Sequence, residues 1–550
     1  MNQYGRIMIV STKNQEQLLK LDKLLEESNV KSEKTFIFDD EADQASPNTK
    51  TSKGGQSTIN NLLETIIGRF IRRAYIQVTA TPQVLLLQDI NSTFKPKFIV
   101  ITEPGPDYVG GDILFANPFE ENMYLRILTE EELNITVPDD KNIILIPEGM
   151  KKAICTFLIS AIAKKIHKEG NKFSFMCHIS VSKNDHEYIK FLLGNYIGKV
   201  SMFLNNNSNL TESEKIEIGN LMIESYKNIK ITFVTIPELD LILKKMKLFI
   251  SNNNIEVINS DNEASEPSYG AIFNFIIGGS KLSRGVTIKK LITTYYSRQT
   301  STPKSDTMKQ HARMYGYRSS DLEVTRVFIT RELADRFFLI NESENELRDF
   351  IIEHAQQEGI IPINVYGELK PTRANVLNPD EVITYKSGKE YFSNMIQYKK
   401  EDIEDTTNVL NKMMLPYVGT VSEPAKEITI DFAIKILEQI TSIPSRSFWN
   451  DKRIITILKF LKSKLEYNNK AYLVVRTDRR IGNSETRGIS AVLSASDHDL
   501  AVGSSPTLFL YRLTGTKNKG WDDQSFWVPV FRFPDGNKAY FFNISEEIEI

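Results

Sequence analysis

The chain has 550 residues, 41% hydrophobic, 25% charged and 10% aromatic, a balance that excludes a disordered or fibrous protein. Lys plus Arg (68) nearly cancels Asp plus Glu (70), so the net charge of −2 identifies no partner until it is resolved locally. Two cysteines exclude a disulfide framework, and no apolar run approaches the ~18 residues of a membrane span. With no signal-like start, these features predict a cytoplasmic protein that does not use a membrane.

Short β-branched runs alternate with helical patterns over the first 330 residues. Strands are expected at 6–10, 35–39, 74–79, 173–180, 231–235, 271–277, 291–296 and 325–329. Leu18, Leu21, Leu24 and Leu25 share a helical face after the first run, and another helix is expected near 151–165. This alternation predicts two parallel α/β sheets, with a break in the polar stretch 138–147. Beyond about residue 365, amphipathic stretches at 431–440 and 453–465 precede strand-like runs at 471–476, 507–511, 526–533 and 538–542. Three domains are therefore expected: 1–145, 146–365, and an α+β domain over 366–550.

Four strand-end segments carry chemistry. The run 35–39 feeds directly into Asp40-Glu41-Ala42-Asp43. An acid at the tip of a buried strand can hold Mg²⁺ where phosphates arrive, and its neighbour can orient or deprotonate water. Asp40 suits the metal and Glu41 the base; alone, the tetrapeptide reads as a solvated acidic strand end. A second strand ends in Thr79-Ala80-Thr81-Pro82, whose hydroxyls can bond to the acidic loop, or can simply close a turn. A third segment runs Gly278-Gly279-Ser280-Lys281-Leu282-Ser283-Arg284-Gly285-Val286-Thr287. The fourth is Gln310-His311-Ala312-Arg313-Met314-Tyr315-Gly316-Tyr317-Arg318. Its arginines either reach a γ-phosphate from a second domain or form an ordinary basic surface.

In this order the four segments resemble the superfamily 2 helicase motifs usually numbered II, III, V and VI. The runs FIFDDEADQASPNTK, STINNLL, YIQVTATP, PDYVGG, IIGGSKLSRGVTI and QHARMYGYR look like the Z1 domain family over roughly residues 6–340. Those bacterial and phage-borne helicase-like proteins are named for a proposed endonuclease activity and lie near restriction-type DNA-defence genes. Residues 505–534 resemble the less specific ending of that family. The resemblance implies two tandem RecA-like domains, the first incomplete, working with ATP and Mg²⁺ on DNA. It implies catalytic roles for Asp40, Glu41, Arg313 and Arg318, with Asp40 on the metal. Asp43, Thr79, Thr81, Arg284, Gly285 and Gln310 would bind nucleotide or couple the domains.

The departures are specific. No GxxxxGK[ST] phosphate loop occurs, and Ser52-Lys53-Gly54-Gly55-Gln56-Ser57-Thr58 has its lysine and glycines in the wrong order. The expectation is that a preceding segment or a partner polypeptide supplies the loop, or that ATPase activity is lost. Thr287 stands where an acid is frequent, and Ala312 where glycine is usual.

From 278 to 331 there are 11 Lys/Arg against 3 Asp/Glu, a local charge of +8 that suits a phosphate backbone. Arg69, Arg72 and Arg73 can extend that groove or form a solvated face. None of the six histidines has metal-ligand spacing, and His178, inside an apolar run, reads as a satisfied core residue. Asp497-His498-Asp499 reads as an exposed polar turn before a metal site. The leading expectation is a DNA-directed, ATP-dependent helicase-like motor. A silent DNA-binding scaffold and a nuclease with its site in the C-terminal domain are the alternatives.

Overall fold

The computed structural model describes residues 7–31, 33–48, 50, 55–88, 92–117, 119–133, 146–179, 183–258, 267–279, 287–298, 304–354, 362–367, 369–372, 382–393, 400–420, 423–440, 449–480, 495–514 and 524–543. The fold is mixed α/β and falls into two compact units, Met1–Ile101 with Asn345–Ile550, and Thr102–Glu344.

In the first unit, Asn14 caps the helix Gln15–Glu27 by accepting from the Gln17 amide. That helix and Thr58–Gly68 bury Leu18, Leu25, Leu63, Ile66 and Ile67 together with Phe70 and Phe94. They pack on a parallel pair of strands, Lys34–Asp40 and Arg72–Val78, with Asp40 opposite Val78. Side chains alternate across a strand, so Ile37 joins this core while Phe36 and Phe38 point the other way, 73% and 70% exposed. The apolar run at 7–10 was expected as a strand; it forms none, and Ile7, Met8, Ile9 and Val10 are all exposed. Lys34–Asp40 pairs only with Arg72–Val78 among the described residues, so the run has no ladder to join.

The same unit holds the β-rich C-terminal part. Ile363–Tyr366, Lys538–Asn543 and Val382–Lys386 form a three-stranded antiparallel sheet. A five-stranded mixed sheet runs in the order Glu390–Phe392, Ser525–Arg532, Thr507–Thr514, Lys470–Arg480, Lys426–Thr429. The helices Ile430–Leu437 and Asp451–Lys462 contribute Ile436, Leu437, Ile457 and Leu458 to its core. The amphipathic stretches and late strands thus sit where their periodicity predicts.

The second unit is built on a six-stranded sheet, parallel throughout, ordered Leu125–Leu128, Arg326–Thr330, Leu291–Tyr296, Phe173–His178, Phe273–Gly278, Asn253–Ile258. Four of the strands are buried along their whole length, as a sheet covered on both faces requires. The helix Glu148–Ile166 is apolar around most of its circumference and lies deep in the same core. The expected strand at 231–235 is corrected. Residues 231 and 232 end the helix Glu212–Thr232, which a reciprocal Thr211–Glu214 capping box starts. Thr232 there donates to the Glu323 carbonyl and accepts from Arg326, contacts that override the β preference of a short branched run. Among the described residues no helix is long and apolar enough to cross a membrane.

Candidate functional site

The two parallel strands of the first unit bring the acidic and hydroxyl segments together. Thr79 Oγ1 donates to Asp43 Oδ1 at 2.7 Å and accepts from the Thr81 amide at 2.9 Å. Asp43 and Thr81 are buried, while Asp40 and Glu41 stand exposed at the strand tip. Glu41 has φ +49°, a left-handed conformation that costs a non-glycine residue about 1 kcal/mol or more. Three bonds hold it there: its amide to Asp40 Oδ1 at 3.0 Å, its carbonyl from Lys13 Nζ at 2.9 Å, and the Ala42 amide to the Val78 carbonyl at 3.1 Å. Strain of this kind, sustained by its surroundings, is characteristic of functional loops.

Beneath the tip lies an anchor that sequence reasoning missed. Buried Asp39 pairs with Lys13 Nζ at 2.7 Å and accepts from Ser46 Oγ and Tyr75 Oη, both at 2.5 Å. Burial, followed by the Asp39 charge, pushes the Tyr75 hydroxyl well above the usual phenol range, so it stays a donor. Lys13 was legible in one respect: it follows an apolar run and immediately precedes the Asn14 helix cap.

The loop was tested against Mg²⁺ and ATP. Mg²⁺ takes one or two carboxylates and completes its shell with water and phosphate, and exposed Asp40 suits that arrangement. No group of three or more His, Cys, Asp or Glu among the described residues forms a complete protein cage. Lys13 is committed to Asp39, Ser46 and the Glu41 carbonyl, so it is not a phosphate-loop lysine in disguise. Ser52, Lys53 and Gly54 lie outside the described residues.

In the second unit, Arg284 and Gly285 lie outside the described residues, and Gln310 is the penultimate residue of the short helix Ser305–His311. Arg313 and Arg318 are half-buried. The Arg318 guanidinium donates to the carbonyls of Leu291 at 3.0 Å, Tyr315 at 3.0 Å and Arg313 at 3.3 Å, clamping its own loop. The +8 segment is partly spent inside the protein. Lys290 pairs with Asp321, Lys309 with Glu344 and Arg331 with Glu120, while buried Arg326 bonds to Asn228 and Thr232. Arg69 is likewise committed, to Asp22 and Glu26, whereas Arg72 and Arg73 are exposed.

Two further expectations change. His178 is buried as expected but only half satisfied, because Nδ1 has no hydrogen-bond partner among the described residues. Asp497 is not part of an exposed turn: it is fully buried between Arg476 Nε at 3.0 Å and Arg479 Nη2 at 2.9 Å, while His498 pairs with Glu390. Asp497 is a structural anchor.

Residues 149–377 match the Z1 domain family. Residues 385–535 match the family of the restriction endonuclease CglI H-subunit, C-terminal domain. The C-terminal segment 505–534 lies within this second match. Residues 6–148 lie outside both matched ranges. A solved structure, the C-terminal domain of the CglI restriction endonuclease H subunit, is 24% identical and covers 27% of this chain and 99% of its own, with a TM-score of 0.20. No curated protein matches the chain.

Proposed function

We propose that this protein is a DNA-directed, ATP-dependent helicase-like component of a restriction system, completed by a preceding segment or a partner polypeptide that carries the phosphate loop. The two family matches support a restriction-system component. The observation that carries the motor reading is the joined pair of strand ends. Thr79 is bonded to Asp43, and the same loop presents Asp40 and the strained Glu41 at its rim. In this reading the first unit is an incomplete RecA-like domain and the second unit's six-stranded sheet its tandem counterpart. Bound Mg²⁺ and ATP would supply the electrophilic phosphoryl centre; Asp40 holds the metal and Glu41 takes the proton of the attacking water.

The added element has a physical warrant of its own. Parallel strands are ordinarily covered on both faces, yet Phe36 and Phe38 are 73% and 70% exposed on one face of the Lys34–Asp40 strand. A further element carrying a Lys-containing glycine loop would cover that apolar face and bring its amides towards Asp40.

The test uses complexes purified on this chain from its source cells. ATP turnover is measured with and without DNA for the wild type and for Glu41→Gln. DNA-stimulated turnover that falls at least about 100-fold in Glu41→Gln is expected. Equal turnover in the two, or none in any complex, overturns the motor reading. A silent scaffold is favoured by one observation, the commitment of Arg318 to three main-chain carbonyls, and it takes the motor's place in that outcome.

A further inference from the structure

A second group of chemistry-bearing residues lies in the Thr102–Glu344 unit, where the sheet reverses its order. After Phe173–His178 the chain moves to the edge strand Asn253–Ile258 and returns through Phe273–Gly278. It then crosses over Phe173–His178 to Leu291–Tyr296 on the far side. The connections leaving His178 and Tyr296 therefore diverge, and the crevice beyond such diverging carboxyl ends is where open parallel sheets take ligands. The cavity there has about 200 Å³ and is lined by Tyr296, Arg298, Lys304, Met308, His311 and Leu333, among others.

The polar chemistry of the crevice is one-sided. Arg298 Nη1 lies 3.1 Å from His178 Nε2 and 3.1 Å from His311 Nε2. A guanidinium cannot accept, so both imidazoles accept through Nε2 and carry their hydrogens on Nδ1. The His311 Nδ1–H then donates to Tyr296 Oη at 3.2 Å, which leaves the tyrosine's own hydrogen for another acceptor. The His178 Nδ1–H is a buried donor with no acceptor among the described residues. Burial, reinforced by His311 and Arg298, holds His178 far below its ordinary titration range, so it remains neutral and adds no competing charge. Arg298 has no carboxylate partner among the described residues, and burial lowers its affinity for its proton. Lys304, on the same cavity, forms no ion pair among the described residues. Elsewhere in the segment 278–331 carboxylates neutralise Lys290, Lys309 and Arg331. A half-buried guanidinium sharing a cavity with a lysine, with no carboxylate paired to either among the described residues, is an unbalanced arrangement until an anion arrives.

We propose that this crevice binds one phosphate-type oxyanion, either orthophosphate or the terminal phosphate of a nucleotide. Arg298 and Lys304 are its charged ligands, and Tyr296 adds a hydroxyl donor. His178 and His311 are positioning residues that fix the guanidinium plane so that Nε and Nη2 face the ligand. The volume agrees: it admits a tetrahedral oxyanion but falls below the several hundred Å³ of a drug-sized ligand pocket. Met308 and Leu333 supply the low-dielectric wall that strengthens charge-assisted bonds. The proposal does not rest on the motor reading, because the probe is orthophosphate.

Orthophosphate binding to the full chain is measured calorimetrically at fixed ionic strength, with folding of every variant checked by circular dichroism. Saturable binding by the wild type, weakened about tenfold or more in Arg298→Gln and by a smaller factor in Lys304→Gln, is expected. Lys304 is half-buried with no ion pair among the described residues, so Lys304→Gln decides the matter if Arg298→Gln does not fold. Competition with ADP and ATP separates the sources. Displacement of orthophosphate identifies a nucleotide phosphate, and its absence identifies the free ion. No saturable binding by the wild type, or wild-type affinity in both variants, overturns the proposal.

Discussion

Lys13→Met is the sharpest test of the acidic strand tip. Lys13 Nζ reaches three acceptors: Asp39 Oδ1 at 2.7 Å, the Glu41 carbonyl at 2.9 Å and Ser46 Oγ at 3.3 Å. The Asp39 side chain is 3% exposed and that of Lys13 22%, so removing the ammonium leaves a buried carboxylate without its cation. Breaking such a pair costs about 3–5 kcal/mol when nothing else satisfies the remaining charge. Here Ser46 and Tyr75 still donate to Asp39, which brings the expected loss down to about 2–3 kcal/mol. Two compact units make global denaturation a poor measure, so the assay is hydrogen exchange at the Ala42 amide, which bonds to the Val78 carbonyl. Exchange there should accelerate about 30- to 150-fold in Lys13→Met, while Lys13→Arg stays close to the wild type. An acceleration below about threefold, or an equal one in the strand Thr507–Thr514, refutes Asp39–Lys13 as the local anchor.

Arg318→Gln removes up to three guanidinium–carbonyl bonds and should lower the local stability of the second unit by about 2–4 kcal/mol, read as faster hydrogen exchange at the amides of Leu291–Tyr296. Unchanged stability with lost ATP turnover would instead assign Arg318 to phosphate. Of the eleven cations in 278–331, Lys290, Lys309, Arg318, Arg326 and Arg331 are committed to protein partners, leaving at most six for nucleic acid. Duplex binding through this segment should therefore show a log–log salt slope no steeper than about −5, and a steeper one places the DNA elsewhere. His178 has a folded-state pKa far below 6.5, from burial first and then His311 and Arg298. The unfolded chain thus binds the extra proton below pH 6.5, and stability falls by up to about 1.4 kcal/mol per unit of acidification, with no effect above it. Exchange at the amides of Phe173–His178 should follow this curve in the wild type and lose that slope in His178→Gln; parallel curves disprove it.

How much of this was readable depends on how local each cause is. The strands ending at Asp40, Val78, Tyr296 and Thr330 were legible because branched apolar runs of that length, closed by polar residues, have few other stable uses. The same rule failed at 231–235, where Arg326 recruits Thr232 from 94 positions away, and at 7–10, where no neighbouring strand among the described residues offers hydrogen bonds. The acidic tetrapeptide was legible as a strand tip. Its mechanical support was not, because Asp39 draws Lys13, Ser46 and Tyr75 from three separate segments. The charge count over 278–331 was correct and still misleading, since Asp321, Glu344 and Glu120 take up part of it.

The Arg298 crevice shows why composition alone could not locate the second candidate site. His178 and Arg298 are 120 positions apart, and nothing in either local sequence marks them as neighbours. They meet because the chain leaves Phe173–His178 on one side and returns on the other, which makes it adjacent to Leu291–Tyr296 with residue 178 level with residue 296. Had Leu291–Tyr296 followed Phe273–Gly278 outward instead, Arg298 would end beside the edge strand, where solvent screens its charge. Strand order therefore decides whether that guanidinium is an ordinary surface cation or a desolvated one awaiting an anion. The same argument applies to the first unit, where Phe36 and Phe38 stand exposed because Lys34–Asp40 pairs with a single strand among the described residues.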